Sequence, residues 1–105
     1  MPLVFSFQDT VFRVDGDVLE IFSRGSFSRR VPLAWLAVQV QPAIKGHLMV
    51  RITSARDDRP LYEEQQKIKN ALGNAVELVI KTEEAFLFRQ FFTEVAQACG
   101  RPVAP

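Results

Sequence analysis

The chain reads as a mainly β domain with one C-terminal α-helix: a bent antiparallel sheet or partial barrel of about seven short strands, capped by the helix. Three observations predict this. Apolar and polar residues alternate with period two through most of the chain up to Lys81. Gly, Asp, Asn and Pro clusters interrupt that alternation at short intervals. Residues 83–99 then change to the helical period, the apolar positions covering about half of the circumference.

The strands follow in order. Leu3, Phe5 and Phe7 alternate with Val4, Ser6 and Gln8. Thr10, Phe12 and Val14 share one face, with Val11 and Arg13 on the other. Asp15-Gly16-Asp17 is a turn signal, so residues 10–22 form a hairpin. Residues 27–31 continue as a strand until Pro32, which has no N–H to give a ladder. Residues 33–36, with Trp35, fit either a turn of helix or a bend. Val38 and Val40 alternate with Gln39 and Gln41 as a half-buried strand, and Leu48, Val50 and Ile52 form its hairpin partner across the loop at Gly46. Residues 54–60 are a polar loop. Residues 61–72 are rich in Glu, Gln and Lys; Ile68 and Leu72, four apart, support a turn or two of helix outside the sheet. Val76, Leu78 and Ile80 make the last strand.

Thr82 has the chemistry of an N-cap, and Glu83 and Glu84 suit the positive end of a helix dipole. Leu87, Phe88, Phe91, Phe92, Val95, Ala96, Ala98 and Cys99 form the apolar face. Gly100 is the natural stop, and residues 101–105 read as a frayed tail. Many short strands need their apolar face covered. Each buried phenylalanine is worth roughly 1.5–3 kcal/mol, so the helix should plug the sheet as an integral part of the fold.

Composition narrows the function. The 105 residues suit one domain, and 48% are hydrophobic, including nine Phe, which is ample for a core. A net charge of +1 gives no global pull toward nucleic acid or anionic membrane. The single cysteine, Cys99, excludes an internal disulfide framework and suits a reducing compartment. No apolar run reaches the length of a membrane span, and residues 1–10 lack the features of a secretory signal. A cytoplasmic domain is expected.

Reactive constellations are not apparent. His47 is the only histidine and reads as a solvated loop residue. One His and one Cys far apart give no metal spacing, and no cofactor is expected. Cys99 reads as a small core residue. Asp57, Asp58, Glu63 and Glu64 interleave with Arg56 and Arg59 as a solvated loop would. No glycine-rich phosphate loop is present. Arg24, Arg29 and Arg30 flank one hairpin, near Arg13. They read first as charges guarding a sheet edge and second as an anion site, since adjacent guanidinium groups can hold phosphate. Phe86 lies toward the polar side of the helix. Phe86 and Trp35 are the interface candidates, against packing of Phe86 on residues 61–72 and of Trp35 in the core, which are preferred.

The Asp15-Gly16-Asp17-Val18-Leu19-Glu20-Ile21 stretch, the Arg30-Val31-Pro32-Leu33-Ala34-Trp35-Leu36-Ala37 segment and the closing helix together resemble the pleckstrin-homology superfold. They are most similar to bacterial pleckstrin-homology-like domains of unknown function in actinobacterial proteins. The resemblance covers about residues 10–100 and implies a fold more than an activity. In lipid-binding members the first hairpin loop is basic; here it is Asp15-Gly16-Asp17, which is acidic. The expectation is a non-catalytic interaction domain that binds protein or itself. Binding of an anionic lipid head group or phosphate by Arg24, Arg29 and Arg30 stands second. Nucleic-acid binding is not expected, and an enzyme joining His47 to the acidic loop ranks last.

Overall fold

The computed structural model describes residues 3–24, 27–55, 59–65 and 76–104. The elements run β1 (Val4–Phe7), β2 (Thr10–Asp15), β3 (Val18–Ser23), β4 (Phe27–Pro32), a 3-10 turn (Leu33–Trp35), β5 (Leu36–Pro42), β6 (His47–Ser54), β7 (Tyr62–Glu64), β8 (Val76–Lys81), a second 3-10 turn (Thr82–Glu84) and α1 (Ala85–Cys99). They build two four-stranded sheets, ordered β1-β2-β3-β4 and β7-β5-β6-β8. The sheets do not close into a barrel. Pro32 ends β4, and the 3-10 turn after it carries the chain from one sheet to the other.

The first sheet is a meander of antiparallel hairpins. Alternation sends Phe7, Phe12, Val14, Leu19, Ile21 and Val31 inward. Gly16 takes a φ of 63° in the tight turn between β2 and β3, a conformation with little cost only for glycine. In the second sheet, β5 and β6 pair as the sequence predicts, Val38 opposite Ile52 and Val40 opposite Val50. Gln39 and Gln41 are buried, where alternation predicts a half-exposed strand. The reason is position: β5 lies inside its sheet, between β7 and β6. Gln39 is held there by neighbours in register, its Nε2 donating to Glu63 at 3.1 Å.

The strand β7 is the main departure from the sequence reading, which set residues 61–72 outside the sheet, with support for a turn or two of helix and its structure otherwise open. Tyr62–Glu64 instead runs parallel to β5. The Val38 N–H donates to the Leu61 carbonyl at 2.8 Å, and the Gln65 N–H to the Val40 carbonyl at 2.7 Å. Leu61 and Tyr62 are both buried, so tertiary contact overrides helix propensity. Ile68 and Leu72, the other support for that helix, lie outside the described residues. Residues 101–104 are not a frayed tail. Val103 bridges to Tyr62, the Leu61 N–H donates to the Pro102 carbonyl, and the Ala104 N–H donates to the Tyr62 carbonyl.

The helix fills the space that both sheets leave open. Ala85, Phe88, Phe91, Phe92, Val95 and Ala96 are buried. The Phe88 ring lies 4.9 Å from Phe7 and 5.1 Å from Phe5, centroid to centroid, both from the first sheet. The Phe92 ring stacks at 6.1 Å on Tyr62 of the second sheet. Leu87 and Cys99 are only partly covered, and Ala98 is exposed, so the buried stripe is narrower than the sequence suggests. Thr82 is not the N-cap. The backbone N–H of Lys81 donates to the Glu84 carboxylate at 2.8 Å, and a 3-10 turn precedes the helix. Gly100, at φ 73°, ends it as expected.

Candidate interaction surface

On the first sheet, the residues between the inward ones face away from the core. The register sets them in two rows. One crosses Val4, Arg13, Glu20 and Arg30, and the next crosses Ser6, Val11, Phe22 and Ser28. In the first row Glu20 sits between two guanidinium groups, with Arg13 at 3.4 Å and Arg30 at 3.6 Å. Arg13 also reaches Asp15 at 3.4 Å. Such exposed pairs contribute no more than about 1 kcal/mol each, but they fix a charged border. Val4, 56% exposed, ends this row on the edge strand, and the half-buried Val11 and Phe22, 42% exposed, lie in the next. An apolar strip bordered by charge is the usual composition of a small protein contact.

The edges of the two sheets differ in chemistry. β4 carries Arg29, Arg30 and Pro32, and β8 carries Glu77 and Lys81. β7 carries Glu63 and Glu64 and is flanked by the bridge from Val103. β1, Val-Phe-Ser-Phe, has no charge and no proline. Charged residues and prolines are the devices by which edges avoid pairing with other chains. Among the described strands β1 has a neighbour on one side only, and its own residues lack both.

Of the three arginines predicted as an anion site, the adjacent pair does not converge. Consecutive residues of a strand point to opposite faces, so Arg29 and Arg30 diverge. Arg30 shares the outer face with Glu20, while Arg29 pairs across the sheet with the inward-facing Ile21. Arg24 sits in the turn after β3, its N–H donating to the Asp9 carbonyl at 3.0 Å. It lines a cleft of about 330 Å³ with Gln8, Asp9, Val11, Phe22 and Ser23.

Trp35 is 43% exposed at the junction between the sheets, not in the core. A 3-10 turn of three residues has one buried position, and Leu33 takes it. Phe86 is 55% exposed in the first turn of α1. Its expected packing surface is only partly described: Leu61 is in the core, and residues 66–72 lie outside the described residues.

The remaining reactive residues are held in structural contacts. His47 opens β6 rather than lying in a loop, and its Nδ1 is 3.2 Å from the Lys45 carbonyl oxygen. Among the described residues no three His, Cys, Asp or Glu side chains group as metal ligands would. Asp57 and Asp58 lie outside the described residues. Glu63 and Glu64 face opposite sides of β7. Glu63 accepts from Gln39 and from Gln65, the latter at 2.8 Å.

Glu64 is the centre of a polar clamp that the sequence reading missed. It accepts from the Tyr62 hydroxyl at 2.8 Å and takes Arg89 of α1 in a fork, Nε at 2.7 Å and Nη2 at 3.0 Å. The Arg89 bonds, the largest influence, hold its carboxyl below the usual range against partial burial. Burial, with the carboxylate nearby, pushes the Tyr62 hydroxyl well above its ordinary value. The only sequence signal was an arginine close to the buried stripe of the helix.

Arg101 performs a similar task at the other end of the helix. Its Nη1 donates to the carbonyls of Leu33 at 2.8 Å and Leu36 at 2.6 Å, and its Nη2 to that of Arg59 at 2.9 Å. It borders a cavity of about 620 Å³ with Val14, Asp17, Leu33 and Cys99. The Cys99 thiol is turned to the Ala96 carbonyl at 3.7 Å. No helix is long and apolar enough to cross a membrane among the described residues. Comparison with protein-family models gives no match, and neither do comparisons with curated proteins and with solved structures.

Proposed function

We propose that this chain is a non-catalytic interaction domain of pleckstrin-homology-like type, binding a protein partner on the outer side of its first sheet. The observation that carries the reading is the apolar pair of Val11 and Phe22, with Val4 diagonal to it on the uncharged edge strand, bordered by Arg13, Glu20 and Arg30. An extended segment of a partner can add to such an edge through main-chain hydrogen bonds and place its side chains on the strip. The Phe22 ring gives it an aromatic anchor, a residue class enriched in the cores of protein interfaces. Anionic head-group binding ranks second, because Arg29 and Arg30, adjacent on β4, point to opposite faces of the sheet.

A random-peptide display selection against the immobilised domain tests the reading. Extended, apolar sequences should be captured, and Phe22→Asp should weaken their binding at least ten-fold while leaving the thermal unfolding of the domain unchanged. Selected sequences indifferent to Val4, Val11 and Phe22 would overturn it.

A further inference from the structure

We propose that β1 is a self-docking edge, where a second copy of this chain pairs antiparallel and joins two four-stranded sheets into one continuous sheet. The inference rests on the interaction-domain reading and names its partner. A two-fold interface must present a patch complementary to itself. The edge β4 would set arginines against arginines, and β8 and β7 carry their own charges. β8 could set Glu77 opposite Lys81 of its copy, a favourable pair, but β1 alone, among the described edge strands, meets its own copy with uncharged side chains throughout. The chain as a whole adds little repulsion, because its net charge is +1.

The alternation of β1 sets the register. Phe5 and Phe7 belong to its inner side, Val4 and Ser6 to its outer side. A two-fold axis normal to the sheet keeps both inner faces on one side only if like positions meet. Phe5 then opposes Phe5 or Phe7 of the copy, and Ser6 opposes Ser6 or Val4. Both choices form cross-strand aromatic pairs, a favourable combination on a sheet. Both also cover Val4, more than half exposed in the single chain. Phe5 already stacks at 5.3 Å on Phe91 and 5.7 Å on Phe12, so the aromatic layer of one copy would continue into the next.

Sedimentation velocity over a rising concentration series tests this on the full chain. The mass should climb from 11.9 kDa toward twice that value. Amide hydrogen exchange in residues 4–7 should slow over the same range. Ser6→Lys places two ammonium groups near the symmetry axis and should weaken the dimer at least ten-fold. Val4→Lys serves the same purpose should Ser6→Lys not fold. Val79→Lys, on the edge strand of the other sheet, should leave association unchanged. A monomer at every concentration would overturn the proposal, as would a dimer that survives the β1 variants. The two readings fail separately. A monomer that still captures peptides on Val4 and Phe22 removes self-pairing alone. A β1 dimer that captures no peptide removes the foreign partner alone.

Discussion

At the scale of single residues, local geometry and tertiary structure compete at Gln8. The hairpin between β1 and β2 closes through Gln8 and Asp9, with Phe7 opposite Thr10. Gln8 has a φ of 53°, in the left-handed region that glycine enters at least cost. No glycine stands there to mark the turn; alternation on either side is what fixes its place. Gln8→Gly should therefore relieve more strain than the added freedom of the unfolded chain removes. A gain of about 0.5–1 kcal/mol is expected. Chemical denaturation should show a higher midpoint with an unchanged slope. A lower midpoint would mean that the glutamine side chain contributes more than its backbone costs. Gly16 and Gly100 are the converse case, where the residue type made the turn and the helix end legible from sequence.

At the scale of elements, β7 shows why some of the fold was hidden and some was not. Strands β2, β3, β5, β6 and β8 alternate over six or more residues, so their existence could be read, as could the pairing of β2 with β3 and of β5 with β6 across short turns. β7 has three residues, two of them glutamates, and no period can be defined on so few. Its place depends on contacts remote in sequence: the parallel pairing with β5, the bridge from Val103, and the clamp from Arg89 to Glu64. The candidate surface was half legible for a similar reason. Alternation sets Val4 and Val11 on the face opposite Phe5 and Phe12, but only the register brings Val11 beside Phe22 and Val4 diagonal to it. The clamp also makes a pH prediction. The Glu64 carboxyl is held below its ordinary value, so its stabilisation is present above the unfolded carboxylate range, around pH 4. It is lost as pH falls through the folded value. The Glu64 side chain is 37% exposed, and screening limits the effect to under about 1 kcal/mol. Urea midpoints of the wild type and Glu64→Gln should differ at neutral pH and converge on acidification. A constant gap across that range would assign the loss to packing instead.

At the scale of the whole molecule, two open sheets become one cooperative unit because a single helix packs against both. Phe88 lies among Phe5, Phe7 and Phe12 of the first sheet, while Phe92 reaches both Phe12 and Tyr62. Neither sheet can keep its inner face dry without that layer, and among the described residues it is the two sheets that cover the apolar stripe of the helix. Phe88 is fully buried, and truncating a buried phenylalanine to alanine costs about 3–5 kcal/mol. That is a large fraction of the roughly 5–15 kcal/mol that holds a domain of this size together. Phe88→Ala should therefore bring the entire fold near its limit, without releasing the helix alone. Two independent signals can follow this: far-ultraviolet circular dichroism for the helix, and fluorescence of the only tryptophan, Trp35, at the junction between the sheets. Both should report one transition, moved to lower denaturant by the same amount in Phe88→Ala. Separate transitions, with the helical signal lost first, would show that the sheets hold together without their aromatic plug.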